Sequence, residues 1–552
     1  MADSSGASIL DAKVTATNES TNVSTTTTTS SAGTYVFPNL LVGSYTITVE
    51  KEGFKKSVQK GVQVQSNQIT ESKLQLDIGE VASVVEVQAG ADLVKTESST
   101  LEATFSGRVV NELPVSSPGG DVKEYAVLVP GTTTQQGGVL GSGGSIGGTR
   151  PRFNGFSIDG VDDNRLDVNG PVQPVIQESV AEFTLLTNQF SAENGHSAGG
   201  QFNTITKSGT NDWHGASWWF NRNRSYNAAD NLQKARISSG EATEKDRFDY
   251  NRAGASTGGP IIKDKLFVFG AYEFQNTGLA SSSPSFDSPT ADGLATLNTL
   301  ANNQVIRDIL AQFPVAPTQT RLVPVTVNGV TTDIPVGTMQ SVAPNFANQH
   351  DFIVNADANL GQHQLRGRFL YDRFRAPDFN PSQPQAQFLG SNSSDARKII
   401  FTDVWTISSR VINDFRTSYS RLNGPNLVVV SGFENFPNVE IDELGSNLGP
   451  NGLAPQGYKQ NVYQWVDNLT YIRGRHAFKF GAEVRKYISP TNVLPRARGE
   501  WDYASLSQFI NDFVPTGANG ALRGAGSGNV ASNYNAFFGF VQDDWKVTPR
   551  LT

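Results

Sequence analysis

The second half of the chain alternates apolar and polar residues with the period of a β-strand. In the segment HAFKFGAEVRKY, Phe478 and Phe480 share one face, whereas Lys479, Glu483 and Arg485 share the other. The segment HQLRGRFLYDRF repeats the pattern. Such alternation suits a strand with one face toward lipid and the other toward a wet lumen. The segment KLFVFGAYEF is an exception, because it is apolar on both faces.

Ten segments after residue 211 carry a strand pattern, and each is longer than an average strand of a water-soluble protein. Soluble strands average about five or six residues, whereas strands that cross a bilayer at a tilt need about nine to eleven. The lengths therefore favour a membrane-spanning sheet. The predicted strands are 213–223, 248–259, 265–276, 350–360, 363–374, 398–408, 411–423, 460–472, 476–487 and 534–547.

The connections between these strands alternate in length. Every second connection is tight, namely 260–264, 361–362, 409–410, 473–475 and a further one that begins at 548. The others are long, namely 224–247, 277–349, 375–397, 424–459 and 488–533. Tight turns on one side with long loops on the other are typical of outer-membrane β-barrels. A soluble sandwich gives no reason for such sorting.

Two adjacent tryptophans, Trp218 and Trp219, fall within the first predicted strand. Aromatic residues form girdles where a barrel meets the bilayer interface. Adjacent residues of a strand face opposite ways, so only one of the two can face lipid. The sequence assigns Trp218 either to this girdle or to an ordinary position in the sheet.

The N-terminal residues 1–78 read as a small β-sandwich with strands at 35–37, 45–49, 61–64 and 70–76. The Ser/Thr-rich run 25–31 is predicted to be a solvated loop, with an edge strand as the alternative. Residues 79–100 form a polar connector with a β-branched centre. This connector is either a linker or a strand that awaits a partner.

Residues 101–211 mix helix and strand signals. A strand and tight turn fit the segment RFNGFSIDGVDDNR, and the Gly-rich segment 137–148 lacks the spacing of a phosphate-binding loop. Asp159, Asp162 and Asp163 lack the spacing and closing glutamate of an EF-hand, so a solvated turn is predicted instead of a calcium site.

The composition of the chain excludes several kinds of functional site. The chain has no cysteine, which excludes thiol nucleophiles and Cys-ligated metals, and its five histidines lack zinc-site spacing. A formal net charge of −8 argues against a nucleic-acid partner. No cofactor or metal is predicted. The opening MADSSGASIL has neither the basic nor the apolar region of a secretory signal.

A family resemblance rests on the motif RFNGFSIDGVDDNR followed by ESVAEFTLLTNQFSAENGHSAGGQFNTITKSGTNDWHGASWWFNRN. This stretch resembles the plug-to-barrel region of TonB-dependent outer-membrane receptors, in particular the Oar-like branch. The segments TGGPIIKDKLFVFGAYEFQ and FFGFVQDDWKVTPRLT resemble barrel hairpins of the same branch. At the N-terminus, SSGASILDAKVTATN and GTYVFPNLLVGSYTITVEKEGFKK resemble the carboxypeptidase regulatory-like domain, which implies a carbohydrate-binding-like fold.

The expected fold class is therefore mainly β, in four regions. These are a β-sandwich (1–78), a linker (79–100), an α+β plug (101–211) and a partial antiparallel transmembrane β-barrel (212–552). Receptors of this family have 22 barrel strands, so the resemblance implies a fragment that lacks a signal peptide and the second half of the barrel. An incomplete barrel has open edges that lipid cannot satisfy.

The resemblance also implies a function, which is not enzymatic and has no catalytic residues. Such a receptor in the outer membrane of a Gram-negative-type bacterium binds a scarce ligand at its outer face. It imports the ligand when TonB, with its inner-membrane partners, pulls on a short N-terminal box. The sandwich and plug would then lie on the periplasmic side. A surface carbohydrate-binding or adhesion protein without uptake is the alternative.

The site residues follow from the same resemblance. Val84, Val85, Glu86, Val87 and Gln88 are the candidate TonB box, with the run GEVAS just before them as an alternative. Asn164, Arg165 and Asp167 are candidate ligand contacts at the plug apex, with a structural turn as the alternative. Lys207, Ser208, Gly209, Thr210 and Asn211 match the plug-to-barrel junction. Carbohydrate, iron chelate, cobalamin and peptide all stay open as ligands, with a slight preference for glycans from the fold of the sandwich.

Overall fold

The computed structural model describes most of the chain. The described residues are 1–3, 5–37, 40–66, 68–79, the backbone of 84–88, and then 100–113, 122–133, 141–188, 190–195, 197–239, 244–279, 285–339, 345–378 and 385–548. No helix in these ranges is long and apolar enough to cross a membrane.

The N-terminal region forms two sheets around one apolar core. Its strands are β1 (Ala2–Asp3), β2 (Lys13–Asn18), β3 (Ser24–Thr28), β4 (Gly43–Glu50), β5 (Lys56–Val64), β6 (Gln75–Leu76) and β7 (Val84–Gln88). The larger sheet has the order β3-β2-β4-β5-β7, and β1 pairs with β6. Alternating residues of β2 and β4, among them Val14 and Val49, are fully buried in the core.

Three predictions for this region need correction. No strand lies at 35–37. Tyr35 instead packs its ring against the core and donates a hydrogen bond from its hydroxyl to the Ser72 carbonyl. The predicted strand at 70–76 is reduced to Gln75–Leu76. The Ser/Thr run supplies β3, which is the edge strand that was held as the alternative. Threonine suits this edge because a β-branched side chain fits a half-exposed strand.

The next region is a mixed α/β unit. Its elements are β8 (Leu101–Ser106), α1 (Gly107–Glu112), β9 (Thr132–Thr133), β10 (Ser145–Ile146), β11 (Gly155–Ile158), β12 (Val161–Asp162), β13 (Val180–Asn188) and β14 (Gln201–Thr206). Single-turn or short 3-10 helices lie at Val122–Leu128, Pro151–Phe153, Gln177–Ser179 and Ala192–Asn194. The central sheet has the order β12-β11-β14-β13-β8. The predicted strand and turn around residue 160 are confirmed.

Beyond residue 206 the structure is dominated by long strands. In chain order the elements are β15 (His214–Asn223), α2 (Asn231–Ser238), β16 (Phe248–Ile262), β17 (Leu266–Leu279), β18 (Phe286–Pro289), α3 (Ala291–Leu300), α4 (Gln304–Leu310), β19 (Arg321–Val327), β20 (Val330–Met339), β21 (Asn345–Leu360), β22 (His363–Asp378), β23 (Gly390–Ser408), β24 (Val411–Val428), β25 (Asn438–Ile441), β26 (Ser446–Leu448), β27 (Gln456–Arg473), β28 (His476–Val493), β29 (Glu500–Tyr503), α5 (Leu506–Ile510), β30 (Ala521–Leu522) and β31 (Asn529–Trp545).

Ten of these strands form a single antiparallel sheet in the order β15-β16-β17-β21-β22-β23-β24-β27-β28-β31. All ten predicted strands are confirmed as members of this sheet. Most run further toward the long loops than predicted; β23, for example, begins at Gly390 instead of residue 398. The prediction stopped short because the added residues are mainly polar, and the apolar alternation ends before the hydrogen-bonded ladder does.

The two faces of the sheet have different surroundings. The inner face packs on the α/β unit, so that Phe269, Ala271 and Leu370 share one apolar core with Phe156 and Phe202 of that unit. This contact explains why KLFVFGAYEF is apolar on both faces. One set of its side chains faces outward and the other set meets the enclosed unit instead of water.

The assignment of Trp218 to a lipid-facing girdle is wrong. Trp218 lies on the inner face, packs against the shared core and donates from Nε1 to Glu273 Oε2 at 2.8 Å. Trp219 faces outward and is 72% exposed. The register of β15 thus turns Trp218 toward the core and the Glu273 carboxylate, and Trp219 outward.

The long loops form a further folded unit, which we call the loop domain. Its sheets are β18-β20-β19 and β26-β25-β29-β30. A single apolar core joins α3, α4 and α5 to both sheets, with Leu297, Ile334 and Phe509 fully buried. Segments from separate connections are also tied by hydrogen bonds, since Arg321 donates to the Glu443 carbonyl at 2.7 Å.

Candidate functional site: the plug, its wall contacts and the N-terminal strand

Besides the shared apolar core, charged groups bind the α/β unit to the inner wall. Five acidic residues of the unit face basic side chains that project inward from the long strands. The pairs within 4 Å are Asp159–Arg368, Asp162–Arg485, Asp163–Lys398, Glu178–Arg252 and Glu193–Lys479. We call this set the ionic seat. Opposite charges thus sit on the two sides of one interface, in agreement with the predicted inward alternation of charge.

Asp162 and Asp163 lie at the centre of the ionic seat. Lys398 Nζ lies 2.7 Å from Asp163 Oδ1, and both side chains are at most 2% exposed. Arg485 Nη1 lies 2.8 Å from Asp162 Oδ1. Burial raises the pKa of Asp163 to about 6, against the opposing effect of Lys398. The predicted turn is therefore present, but its predicted solvation is wrong, because the inner wall covers these carboxylates and supplies their counter-ions.

A second cluster lies on β16 and β17. Arg252 donates to Glu273 Oε2 at 2.7 Å, to Gln177 Oε1 at 2.7 Å, and to Glu178. Burial raises the pKa of Glu178, with the Arg252 charge acting against this effect. The cluster holds the 3-10 helix Gln177–Ser179 against the wall.

The predicted apex hairpin reaches the half of the wall that carries the long loops. Gln460, near the start of β27, donates to the Asn164 carbonyl and accepts from the Leu166 amide, both at 2.9 Å. Asn164 is buried, and its side chain bonds within the hairpin to Phe156 and Asp162. The Asn164 side-chain amide therefore forms its hydrogen bonds inside the hairpin, as expected for a structural turn and not for a ligand contact.

Arg165 and Asp167 are more accessible than Asn164. Their side chains form an ion pair at 2.6 Å and are 25% and 28% exposed. The Asp167 carbonyl also accepts from Arg152 at 2.8 Å. This pair presents one cationic and one anionic group on the hairpin surface.

The predicted junction residues lie at the opposite end, beside the tight turns. Asn211 exchanges two hydrogen bonds with Asp264, which lies between β16 and β17, at 2.7 and 2.9 Å. The Lys207 carbonyl accepts from Asn355 at 2.7 Å. Gly209 touches the wall so closely that an added Cβ would lie 2.4 Å from the Val268 carbonyl oxygen. Thr210 Oγ1 donates to the Asp212 carbonyl.

The N-terminal sheets also lie at the tight-turn end. The Asn211 amide donates to the Ser20 carbonyl at 2.9 Å, and a recess between the two parts is lined by Tyr45 and Arg366. The Ser66 amide donates to Glu182 of β13 at 2.8 Å. Burial raises the pKa of Glu182 to about 7, and the neighbouring charge of Glu102 adds to the shift.

Strand β7, the candidate TonB box, is already paired. It extends the larger N-terminal sheet in parallel with β5, where Val84 lies opposite Lys56 and Gln88 opposite Lys60. Of the two predicted forms, linker and strand, the structure shows the strand. The alternative run GEVAS lies outside the described residues except for Gly79.

The loop domain contains an acidic group on two adjacent strands. Glu440 of β25 lies opposite Asp502 of β29. Burial raises the pKa of Glu440 to about 7, and the charges of Asp502, Asp442 and Glu500 add to the shift. In the described ranges, no three His, Asp or Glu residues are arranged to hold a metal ion.

Sequence reasoning missed the ionic seat, although its signal was present. Arg485 and Lys479 were recognised as an inward set on β28. Lys398 is the first residue of the predicted strand 398–408, where the apolar–polar alternation does not yet mark its face. The partner aspartates lay more than two hundred positions earlier in the chain, and only the folded structure brings the two sets together.

Comparisons with known proteins agree with this architecture. Residues 205–552 match the outer membrane beta barrel domain, and residues 2–77 match the carboxypeptidase regulatory-like domain. The TonB-dependent transporter Oar of Myxococcus xanthus is 28% identical over 270 residues, which cover 48% of this chain and 25% of that protein.

The fold is similar to that of a solved outer-membrane transporter. The outer membrane transporter YddB from Escherichia coli superposes with a TM-score of 0.51 at 12% identity, over 80% of this chain and 54% of that one. The siderophore receptor PirA from Acinetobacter baumannii gives a TM-score of 0.45 at 14% identity, over 81% and 54%. The chain thus spans about half the length of these structures and a quarter of the curated relative. With its long-stranded antiparallel sheet, the chain belongs to the outer membrane beta barrel domain family; it also carries a carboxypeptidase regulatory-like domain, and over 48% of its length it is similar to a TonB-dependent transporter.

Proposed function

We propose that the protein imports a scarce ligand across the outer membrane with energy transduced by TonB. The observation that carries this proposal is the opposite placement of the two plug ends. The apex hairpin lies toward the loop domain, whereas the junction, the N-terminal sheets and β7 all lie toward the tight turns. Ligand capture and energy input would then act on opposite sides of one bilayer, with the tight turns facing the periplasm.

The ionic seat suits a plug that must move. Buried ion pairs add little net stability, because the cost of desolvation offsets much of the attraction. Water that enters during plug movement can solvate both partners again. An apolar seat of the same area would resist such separation more strongly.

TonB would engage β7 by adding a strand to one of its own sheets. In the structure, β5 occupies one edge of β7. TonB could replace β5 as the partner of β7, or pair with the edge of β7 that no described strand occupies. Either pairing would couple TonB to the plug through the connector that follows.

At the outer face, Arg165 and Asp167 are the proposed ligand contacts on the plug. A zwitterionic pair can bind polar ligands such as glycans through charge-assisted hydrogen bonds. The regulatory-like domain supports a glycan only by analogy of fold.

The decisive experiment uses the full-length receptor and the purified periplasmic domain of TonB. Deletion of Val84–Gln88 is expected to abolish TonB binding, whereas the matched deletion of 79–83 should preserve it. If the first deletion retains binding and the second loses it, the box lies in GEVAS. If both deletion variants bind TonB as well as wild type does, the proposed energy coupling is wrong. A function in carbohydrate binding or adhesion without uptake would then be favoured.

A further inference from the structure

Four arginines gather on the outer face of the long-stranded sheet, close to the loop domain. The inner face is defined by Leu370 and Ile400, which pack on the plug. Side chains alternate along a strand, so the odd-numbered residues of β22, β23 and β24 face outward. At these outward positions lie Arg373, Arg375, Arg397 and Arg421, which we call the arginine cluster.

Strand register concentrates positive charge within the cluster. Arg397 lies directly opposite Arg421 on β24. Like charges in directly opposed positions of a sheet repel each other. The Arg397 guanidinium also lies 5.6 Å above the ring of Tyr371, which fixes it on the wall surface. The sheet therefore holds these cations together against their repulsion.

The neighbouring protein groups neutralise the cluster only in part. Asp395 is the acid within it and lies 3.2 Å from Arg397. Arg373, Arg375 and Arg421 form no ion pair with any residue that the structure describes. Arg373, Arg375, Arg397 and Asp395 line a recess of about 280 Å³ on the wall surface, and Arg421 lies next to it, opposite Arg397. An anion could enter this recess without displacing a protein group.

The cluster borders the apolar band of the outer face. Moving away from the loop domain, the outward residues become Phe369, Ile399, Phe401 and Tyr419. Ile399 is 51% exposed and Phe401 is 42% exposed, as expected for residues that face hydrocarbon. The arginines thus lie at the depth of lipid headgroups.

On β22, β23 and β24 the outward arginines lie only toward the loop domain. Toward the tight turns, the outward charged or titratable side chains of these three strands are His363 and Asp403, and Asp403 accepts a hydrogen bond from His363.

We infer that the arginine cluster binds the phosphate groups of a glycolipid in the outer leaflet. Guanidinium groups bind phosphate through paired, charge-assisted hydrogen bonds, and several phosphate-bearing headgroups can bridge adjacent arginines. The assignment to the outer leaflet rests on the proposed function, which places the loop domain outside the cell. The anionic headgroup would relieve the repulsion between Arg397 and Arg421.

The test measures lipid binding to the full-length receptor in a neutral detergent by native mass spectrometry. The probes are bisphosphorylated lipid A, the same lipid without phosphates, and inorganic phosphate. The variant Arg373→Gln/Arg421→Gln removes two cations that form no described ion pair. Its control, Lys263→Gln/Lys265→Gln, makes the same charge change beside a tight turn, where both lysines are exposed.

Wild type and the lysine control should bind bisphosphorylated lipid A equally, and the arginine variant should bind at least about fivefold more weakly. The conservative variant Arg373→Lys/Arg421→Lys should retain much of the binding, which shows that the wall is intact. Equal binding by the arginine variant, equal losses in both charge variants, or equal binding of the lipid without phosphates would overturn the inference. Full competition by millimolar inorganic phosphate would reassign the cluster to free anions. Because binding in detergent needs neither TonB nor a defined orientation, failure of the proposed function would not alter these results.

Discussion

Lys398 of the wall and Asp163 of the plug meet at 2.7 Å inside the interface, and both are almost fully shielded from solvent. A lysine and an aspartate would each be costly to bury alone. The charge of Lys398 therefore offsets the cost of burying the Asp163 carboxylate, and the reverse also holds. This ion pair can form only when the plug is bound inside the barrel wall.

Replacing Lys398 by Met should leave Asp163 as an unpaired buried carboxylate. Loss of one partner of a buried pair typically costs about 3–5 kcal/mol. We expect thermal unfolding of the detergent-solubilised receptor, followed by circular dichroism, to shift to lower temperature. The double variant Lys398→Met/Asp163→Leu should recover much of the loss. Lys486→Met on the outer face is the control and should have little effect; an equal shift there would show that the pair is unimportant.

Stability should depend on pH through Glu182. Its pKa is raised to about 7, so between the ordinary glutamate range near 4.5 and pH 7 the folded state binds more protons than the unfolded state. The contribution of Glu182 to the free energy of unfolding is therefore largest below about pH 4.5 and falls as the pH rises to 7. The loss is limited to about 3 kcal/mol.

The variant Glu182→Gln should remove this part of the pH dependence. Compared with wild type, its melting temperature should be higher at pH 8 and similar at pH 5. Melting curves at the two pH values measure the difference. A constant offset between the two proteins at both pH values would contradict the titration of Glu182.

Fixing β7 to β5 should block energy coupling. Lys60 lies opposite Gln88 in the parallel pair, and the chain contains no cysteine that could compete. Lys60→Cys/Gln88→Cys, joined by a short bismaleimide, should lose TonB binding if strand exchange is required. The single variants treated with the same reagent are the controls. Undiminished binding by the cross-linked protein would show that TonB uses the free edge of β7 or another segment.

The apex residues should separate into two classes. Arg165→Ala/Asp167→Ala should weaken ligand binding about tenfold without loss of stability, because both side chains are accessible. Asn164→Ala should instead lower stability, because its side chain bonds inside the hairpin. Binding screens against oligosaccharides, ferric chelates, cobalamin and peptides, with melting curves alongside, test both expectations. If the double variant binds the ligand class that wild type binds with unchanged affinity, Arg165 and Asp167 are not part of the ligand site.

The long strands could be predicted from sequence because their signal is local. Alternation and length are properties of ten or so consecutive residues, and the tight turns reset the register at each step. The faces of Trp218 and Trp219 could not be assigned in this way. Which of them faces inward follows from the register of β15 in the folded sheet, where Trp218 meets the core and Glu273, a partner two strands away.

The loop domain and the ionic seat lay beyond sequence reasoning for a related reason. The loop-domain core combines segments from separate connections, among them α3 and α5, that lie some two hundred residues apart. The seat pairs acids near residue 160 with cations such as Arg485. Both depend on contacts between distant segments, and each long loop contributes only part of the core.

The central claim is that a bilayer separates the tight turns from the loop domain. Single cysteines at Gln362, in the turn between β21 and β22, and at exposed Val305 of α4 test it directly. In intact cells that produce the full-length receptor, a membrane-impermeant maleimide should label Val305→Cys and leave Gln362→Cys unlabelled until the outer membrane is permeabilised. Equal labelling of both positions in intact cells, or recovery of the protein in the soluble fraction, would contradict the account.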